Sequence, residues 1–219
     1  MARVVIFGIE DFAQLAYFYL THDSEHEVVA FTVHESYLSK SEFMGLPVVP
    51  FELVECHFPP GDYAMFAPMS PAMMNVLREE VYGQAKTKGY RLLTYISSKA
   101  TYYGTPVGDN CFIFENNVIQ PFTEIGNNVI MWSGNHLGHH SAVGDHSFLT
   151  SHVVISGHVV IKSHCFFGVN STVTNGIVMA PYTFVGAGAL VTQDTKERGV
   201  YRAARAELMG MPSNKLRRM

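Results

Sequence analysis

The sequence predicts two architectures in one chain, a small α/β unit followed by an all-β parallel solenoid built from six-residue repeats. Three observations carry this prediction. Every sixth residue from Val107 to Val191 is apolar without a break. With about half of all residues apolar, chance gives such a run roughly once in 10⁴ to 10⁵ tries at fixed phase. Four residues after each apolar anchor the side chains are mostly small or slim, among them Cys111, Asn117, Ser141, Ser147, Cys165, Thr183 and Ala189. Before residue 100 the period is absent, and short apolar runs alternate with helical stretches.

The first part reads as follows. Val4, Val5, Ile6 and Phe7 form an apolar run ending at Gly8; a helix over about 11–19 follows, then a second apolar run over 28–33. That is β-α-β, the opening of a parallel sheet. Pro47-Val48-Val49 and 63–66 supply further strands, the latter ending at Ala67-Pro68. Ser70 as N-cap and Pro71 at the first helical position predict a helix to about Lys88, stopped by Gly89. Residues 91–96 are the last strand, so residues 1–97 read as a Rossmann-like domain, 98–193 as the solenoid and 194–219 as a basic tail.

In the solenoid each unit offers one large and one small inward position, which is a short strand plus a corner. Gly recurs one residue after the anchor, at Gly108, Gly126, Gly138, Gly144, Gly168 and Gly186, and is expected where the backbone bends. A single unit buries little core, so it is stable only when stacked on its neighbours.

The pattern aliphatic, Gly, any two residues, small, any, over about 100–192, resembles the hexapeptide-repeat acyltransferases. The resemblance implies a left-handed parallel β-helix with three hexads per triangular coil. A small α/β domain followed by such a helix is similar to a narrower group, the sialic acid O-acetyltransferases and the N-acetyltransferases of nucleotide-linked amino sugars. That likeness implies a nucleotide sugar held by the N-terminal domain and acetyl-CoA lying along the β-helix between subunits of a homotrimer. It also implies work in surface polysaccharide or glycoconjugate synthesis. N-acetylation of an amino sugar is the expected reaction; O-acetylation of a sugar or sialic acid, and a hexapeptide-repeat protein that binds a nucleotide sugar without turnover, remain as alternatives.

Bulk composition excludes several classes. The formal net charge of −4 leaves no basic stripe for nucleic acid, and no segment has the length of a membrane span. The first residues read as strand then helix and not as a signal peptide, so a cytoplasmic location is expected. Cys56, Cys111 and Cys165 are widely spaced with no CxxC, and two of them fall on the small inward phase as fillers.

The chemistry concentrates in 132–141, the most polar stretch of the solenoid. Leu137-Gly138-His139-His140 falls on the motif whose His is the general base in the resembled group, which implies His139. An acceptor amine must lose a proton as it attacks a thioester, and His suits that task near neutral pH. The resembled enzymes place Asp or Glu after this His; here the residue is His140. Asn135 and His136 are the fallback candidates, Asn135 on the inward phase and His136 at the outward end of a strand. With three hexads per coil, residues 18 apart stack, so Gly157 lies over His139 and its amide is placed for a developing oxyanion. The resemblance further implies that Val169 and Ala187 line the pantetheine channel.

The nucleotide pocket is implied at the strand ends near Gly8, Val33, His34, Ala67 and Pro68. Glu10 and Asp11 stand where the resembled group often carries a Gly-rich turn, and are read as helix-start residues. His140, His146, His152, His158 and His164 recur on the outward corner phase, where solvated or interface positions are expected. Their stacking pairs could reach a metal, but no carboxylate or Cys recurs beside them, so no metal is expected. In the tail, Arg198, Arg202, Arg205, Lys215, Arg217 and Arg218 read as a solvated helix face or as a contact for the CoA 3′-phosphate.

Overall fold

The computed structural model describes residues 1–215. Arg217 and Arg218 of the basic tail lie outside the described residues. The N-terminal part holds β1 (Arg3–Phe7), α1 (Asp11–His22), β2 (Glu27–Val33), β3 (Glu42–Phe43), β4 (Leu46–Pro50), α2 (Val54–His57), β5 (Ala64–Phe66), α3 (Val76–Thr87) and β6 (Arg91–Leu92). Its sheet runs β3-β4-β2-β1-β5-β6, parallel except for the β3–β4 hairpin. Alternation along β1 divides the core: Val4 and Ile6 face α1, while Val5 and Phe7 face α3.

Two element boundaries differ from expectation. Residues 91–96 are two strands: Arg91–Leu92 completes the α/β sheet, and Tyr95–Ile96 pairs with Phe112–Ile113 as the first rung of the solenoid. The helix expected from Ser70 begins only at Val76, after Met73, Met74 and Asn75 adopt left-handed φ of 52°, 54° and 70°. Tertiary contact overrides the capping signal here, because the Asn75 Oδ1 accepts a 3.0 Å bond from the buried Arg78.

From Tyr95 to Tyr201 the chain is a three-sided parallel β-helix. Strands of two residues pair with those one coil away, His136 opposite Val154 on one face, Ala142 opposite Val160 on the next, Phe148 opposite Phe166 on the third. The anchors from Ile113 to Val191 form one continuous buried core. This architecture fits the left-handed β-helix that the resemblance implies.

The chain turns on the phase of the recurring His, as expected, and not at the Gly one residue after the anchor. The left-handed residue is the one three after the anchor, at Asn110, Asn116, Phe122, Asn128, Gly134, His140, His146, His152, His158, His164, Asn170, Gly176, Tyr182 and Gly188, with φ of 55–78°. Asn and His tolerate this region better than most residues, and Gly adopts it freely, which accounts for the run of His. The Gly one residue after the anchor is needed for close approach instead. A β-carbon on Gly138 would lie 2.7 Å from the Gly157 nitrogen, and one on Gly144 2.8 Å from that of Ser163.

Three edges follow from these corners. The first carries Asn110, Asn128, His146 and His164; the second Asn116, Gly134, His152 and Asn170; the third Phe122, His140, His158 and Gly176. The α/β part packs on the face between the first two, where Phe112, Phe114, Ile130 and Phe148 meet α1 and Phe66. Tyr19 on α1 donates to Glu115 at 2.8 Å, and Phe12 meets Trp132 edge-on. Among the described residues, the hydrogen bonds and ring contacts joining the two parts lie on this face and its two edges.

The first edge is not solvated, contrary to the expectation for His146 and His164. α3 covers it. Arg78 is fully buried and donates to the Asn128 carbonyl and Oδ1, to the His146 carbonyl at 2.9 Å and to that of Ser147. Burial lowers the guanidinium pKa to about 9. Glu79 takes a 3.0 Å bond from His164 Nε2 and lies 3.6 Å from His146 Nε2. Among its described residues the tail forms a strand and one short 3-10 turn instead of a helix face: Val200–Tyr201 lies beside Phe184–Val185, Ser213–Lys215 makes the turn, and Arg202, Arg205 and Lys215 are exposed. Arg198 lies over the Tyr182 ring.

Candidate active site

The third edge holds the predicted chemistry. Its shape comes from three local choices: Gly138 lets the chain lie against the next coil, His139 follows it facing outward, and His140 makes the left-handed turn. The His139 amide donates to Gln120 Oε1 at 2.8 Å, and its carbonyl accepts the His158 amide at 3.0 Å. Both bonds pin the backbone from which the imidazole projects.

The ring of His139 lies on Gly157. A β-carbon there would stand 2.8 Å from His139 Cε1 and 2.9 Å from Nε2, so only Gly admits the ring. Two amides at this phase, those of Asp109 and Asn127, are capped at 3.0 Å and 2.7 Å by the side chain one coil on, whereas those of Ser133, Asp145, Ser151 and Ser163 have no acceptor among the described residues. Asn175 occupies that place above Gly157 and makes no such bond, which leaves the Gly157 amide without an acceptor among the described residues.

His139 and His140 meet through Nδ1 atoms 3.0 Å apart. The His140 ring is flanked by Phe122 at 4.8 Å and by His158, nearly parallel at 4.9 Å. His139 stands edge-on to His158 at 5.1 Å. All three imidazoles are exposed. Gln120 and Phe122 escaped the sequence reading; the 18-residue arithmetic that found Gly157 would also have found both, since they lie one coil below Gly138 and His140.

No protein-family model matches the sequence, and no curated protein matches it. Solved structures do. The acetyltransferase domain of PglB from Neisseria gonorrhoeae FA1090 is 15% identical with a TM-score of 0.81, covering 93% of this chain and 97% of that one. PerB from Caulobacter crescentus, in complex with CoA and GDP-perosamine, is 21% identical with a TM-score of 0.80 over 96% of this chain and 98% of its own. WeeI from Acinetobacter baumannii AYE is 17% identical with a TM-score of 0.58, covering 91% and 96%. This chain shares their fold.

The other predicted residues fall in three places. Asn135 is buried inside the β-helix, its amide donating to the Trp132 carbonyl and its Oδ1 accepting the Val153 amide at 2.7 Å, so it is spent on structure. His136 sits on the outer side of the face between the second and third edges, flanked by Val118 and Val154. Val169 and Ala187 are exposed on the second edge, away from His139 and Gly157.

Of the pocket residues, Gly8, Val33 and Ala67 follow or end β1, β2 and β5 at the carboxyl edge of the sheet. Ala67 faces the β-helix instead of a pocket: its amide and carbonyl are both bonded to Asn110, and Pro68 is buried beside it. Val33 is buried in the core beneath α1. Gly8 has φ +115° and gives its amide to Thr32. His34 alone of this set lines a cleft of about 580 Å³, together with Phe51, Glu52, the α3 residues Glu79, Glu80, Gly83, Gln84 and Thr87, and Lys88 just after the helix. His34 Nδ1 pairs with Glu52 at 2.9 Å. Glu10 caps α1 without a side-chain bond, in keeping with a helix-start role. No helix among the described residues is long and apolar enough to cross a membrane.

Proposed function

We propose that this chain is an acetyl-CoA-dependent N-acetyltransferase of a nucleotide-linked amino sugar. The observation that carries the reading is the His139 imidazole resting on Gly157, beside an amide with no partner among the described residues. The shared fold supports it, since PerB holds CoA and GDP-perosamine and a variant of that N-acetyltransferase with one histidine replaced by asparagine binds the same pair.

In this reading the acceptor amine attacks the thioester carbonyl carbon while His139 takes its proton through Nε2. The Gly157 amide donates to the oxygen as it gains charge. Collapse of the tetrahedral intermediate breaks the carbon–sulfur bond, and His139 returns the proton to the departing thiolate. No covalent acyl-enzyme is required.

Residues 1–97 act as the Rossmann-like nucleotide-sugar domain, 98–193 as the acetyl-CoA domain, and the cleft beside His34 as the nucleotide site. The third edge points away from its own α/β part, so the amine reaching His139 comes from a cleft on a neighbouring subunit. Val118, Val154, Val178 and Leu190 are large exposed apolar residues on the two faces flanking that edge, which suits a homotrimer packed through them. Pantetheine then passes between the third edge of one subunit and the Val169–Ala187 edge of the next.

Thiol release from acetyl-CoA, measured with a panel of UDP-, dTDP- and GDP-linked amino sugars, tests the reading. Turnover with one of them is expected, falling about 10²- to 10⁴-fold in His139→Ala. Turnover only with hydroxyl acceptors supports O-acetylation, and none with any acceptor supports a binding protein.

A further inference from the structure

Two clusters bring three potential metal ligands within 4.8 Å of one another: Glu79 of α3 with His146 and His164 of the first edge, and His139, His140 and His158 on the third edge. Proton bookkeeping separates them. Arg78 has only donors, so the Asn128 atom that faces it is the oxygen, and the Asn128 amide nitrogen donates to His146 Nδ1 at 2.9 Å. His146 must then carry its proton on Nε2, the atom turned to Glu79, and that nitrogen has no lone pair for a metal. The buried cluster is a hydrogen-bonded latch.

The exposed cluster has no such lock. Apart from the Nδ1 to Nδ1 contact of His139 and His140, none of its ring nitrogens is held by a hydrogen bond among the described residues. Two nitrogens 3.0 Å apart are close to the separation of two ligands on one tetrahedral ion with metal–nitrogen bonds of about 2.0–2.1 Å. His140 and His158 are left-handed corners one coil apart, so the backbone fixes two of the three donors. Their exposed side chains need only small rotations to close on an ion.

We propose that His139, His140 and His158 form a binding site for a borderline transition-metal ion of the Zn²⁺ class, and that occupancy inhibits the enzyme. The donors are imidazoles only, which select Zn²⁺, Ni²⁺ or Cu²⁺ over Mg²⁺ or Ca²⁺. The ion is no cofactor, because a metal-bound His139 is held away from the position in which it accepts the substrate proton. Binding itself is independent of the proposed reaction; inhibition rests on His139 being its base.

Calorimetric titration of tag-free protein with ZnCl₂ tests this, run beside the acetyl-transfer assay. One equivalent is expected to bind at micromolar concentration and to abolish transfer reversibly on adding EDTA, while MgCl₂ gives no heat. His158→Asn keeps the left-handed corner and removes the third imidazole, and should weaken Zn²⁺ binding by at least about tenfold. An unchanged melting temperature in the absence of metal establishes that the variant folds. No binding, or equal binding in His158→Asn, overturns the site. Binding that leaves transfer untouched overturns the inhibitory role and, with it, His139 as the base.

Discussion

The Nδ1 atoms of His139 and His140 face each other at 3.0 Å, a separation that requires one of them to be protonated and the other bare. With the proton on His139 Nδ1, His140 is the acceptor and His139 Nε2 keeps its lone pair on the side of Gly157. A neutral imidazole thus stands where the resembled enzymes carry an acid.

Replacing His140 by Asp supplies that acid at a corner where Asp is tolerated. A carboxylate beside the ring stabilises the imidazolium that forms as His139 takes the proton, through a charge-assisted bond about twice as strong as a neutral one. The kcat/KM of His140→Asp is therefore expected to rise about three- to tenfold. A value at or below wild type removes His140 from the role of orienting partner.

Gly157→Ala introduces a β-carbon 2.8–2.9 Å from the His139 ring while leaving the backbone at an ordinary φ. The ring must swing away. A displacement near 1 Å at a reacting group can cost about 10²-fold in rate, so kcat is expected to fall 10- to 100-fold with little change in melting temperature. If rate and melting temperature both stay at the wild-type values, the base does not work from this position.

The sequence made the β-helix legible because a period of six is written in every coil, and counting by 18 then put His139 over Gly157. The first strands of the sheet were equally plain from apolar runs. The corner phase was legible from the recurring His, but the Gly one residue after the anchor was misread as a bend, because what it serves is close approach between coils. Arg78 was invisible: an arginine inside an amphipathic helix reads as solvent-facing, and only the fold reveals that Asn128, His146 and Ser147 present carbonyl oxygens to it. The pocket residues were drawn from strand ends by analogy, and that analogy does not anticipate Asn110 reaching Ala67.

Arg78→Met keeps the length and removes every donor. The carbonyls of Asn128 and His146 then lose their partner in a buried interface, each at about 1–3 kcal/mol, while that of Ser147 keeps the Ile130 amide. A loss of about 3 kcal/mol or more is expected in urea unfolding. Arg78→Lys should recover only part of it, since one ammonium cannot span acceptors on both sides of the fork. A midpoint equal to wild type for Arg78→Met would show that the two parts are held together elsewhere.

Stability should also fall on mild acidification through His146. Burial lowers its pKa to about 4, with the neighbouring His164 contributing in the same direction. An unfolded chain protonates this residue near pH 6.5, so between about 6.5 and 4 the unfolded state binds more protons and folding weakens as pH drops. The stabilisation is whole above that window and gone below it, a difference of up to about 3 kcal/mol. His146→Asn keeps the left-handed corner and offers the Asn128 amide a carbonyl oxygen, but it has no proton to take up. Urea midpoints measured at pH 7.5, 6.0 and 5.0 should therefore fall less steeply in the variant than in wild type; parallel slopes would mean that the buried imidazole does not control acid sensitivity.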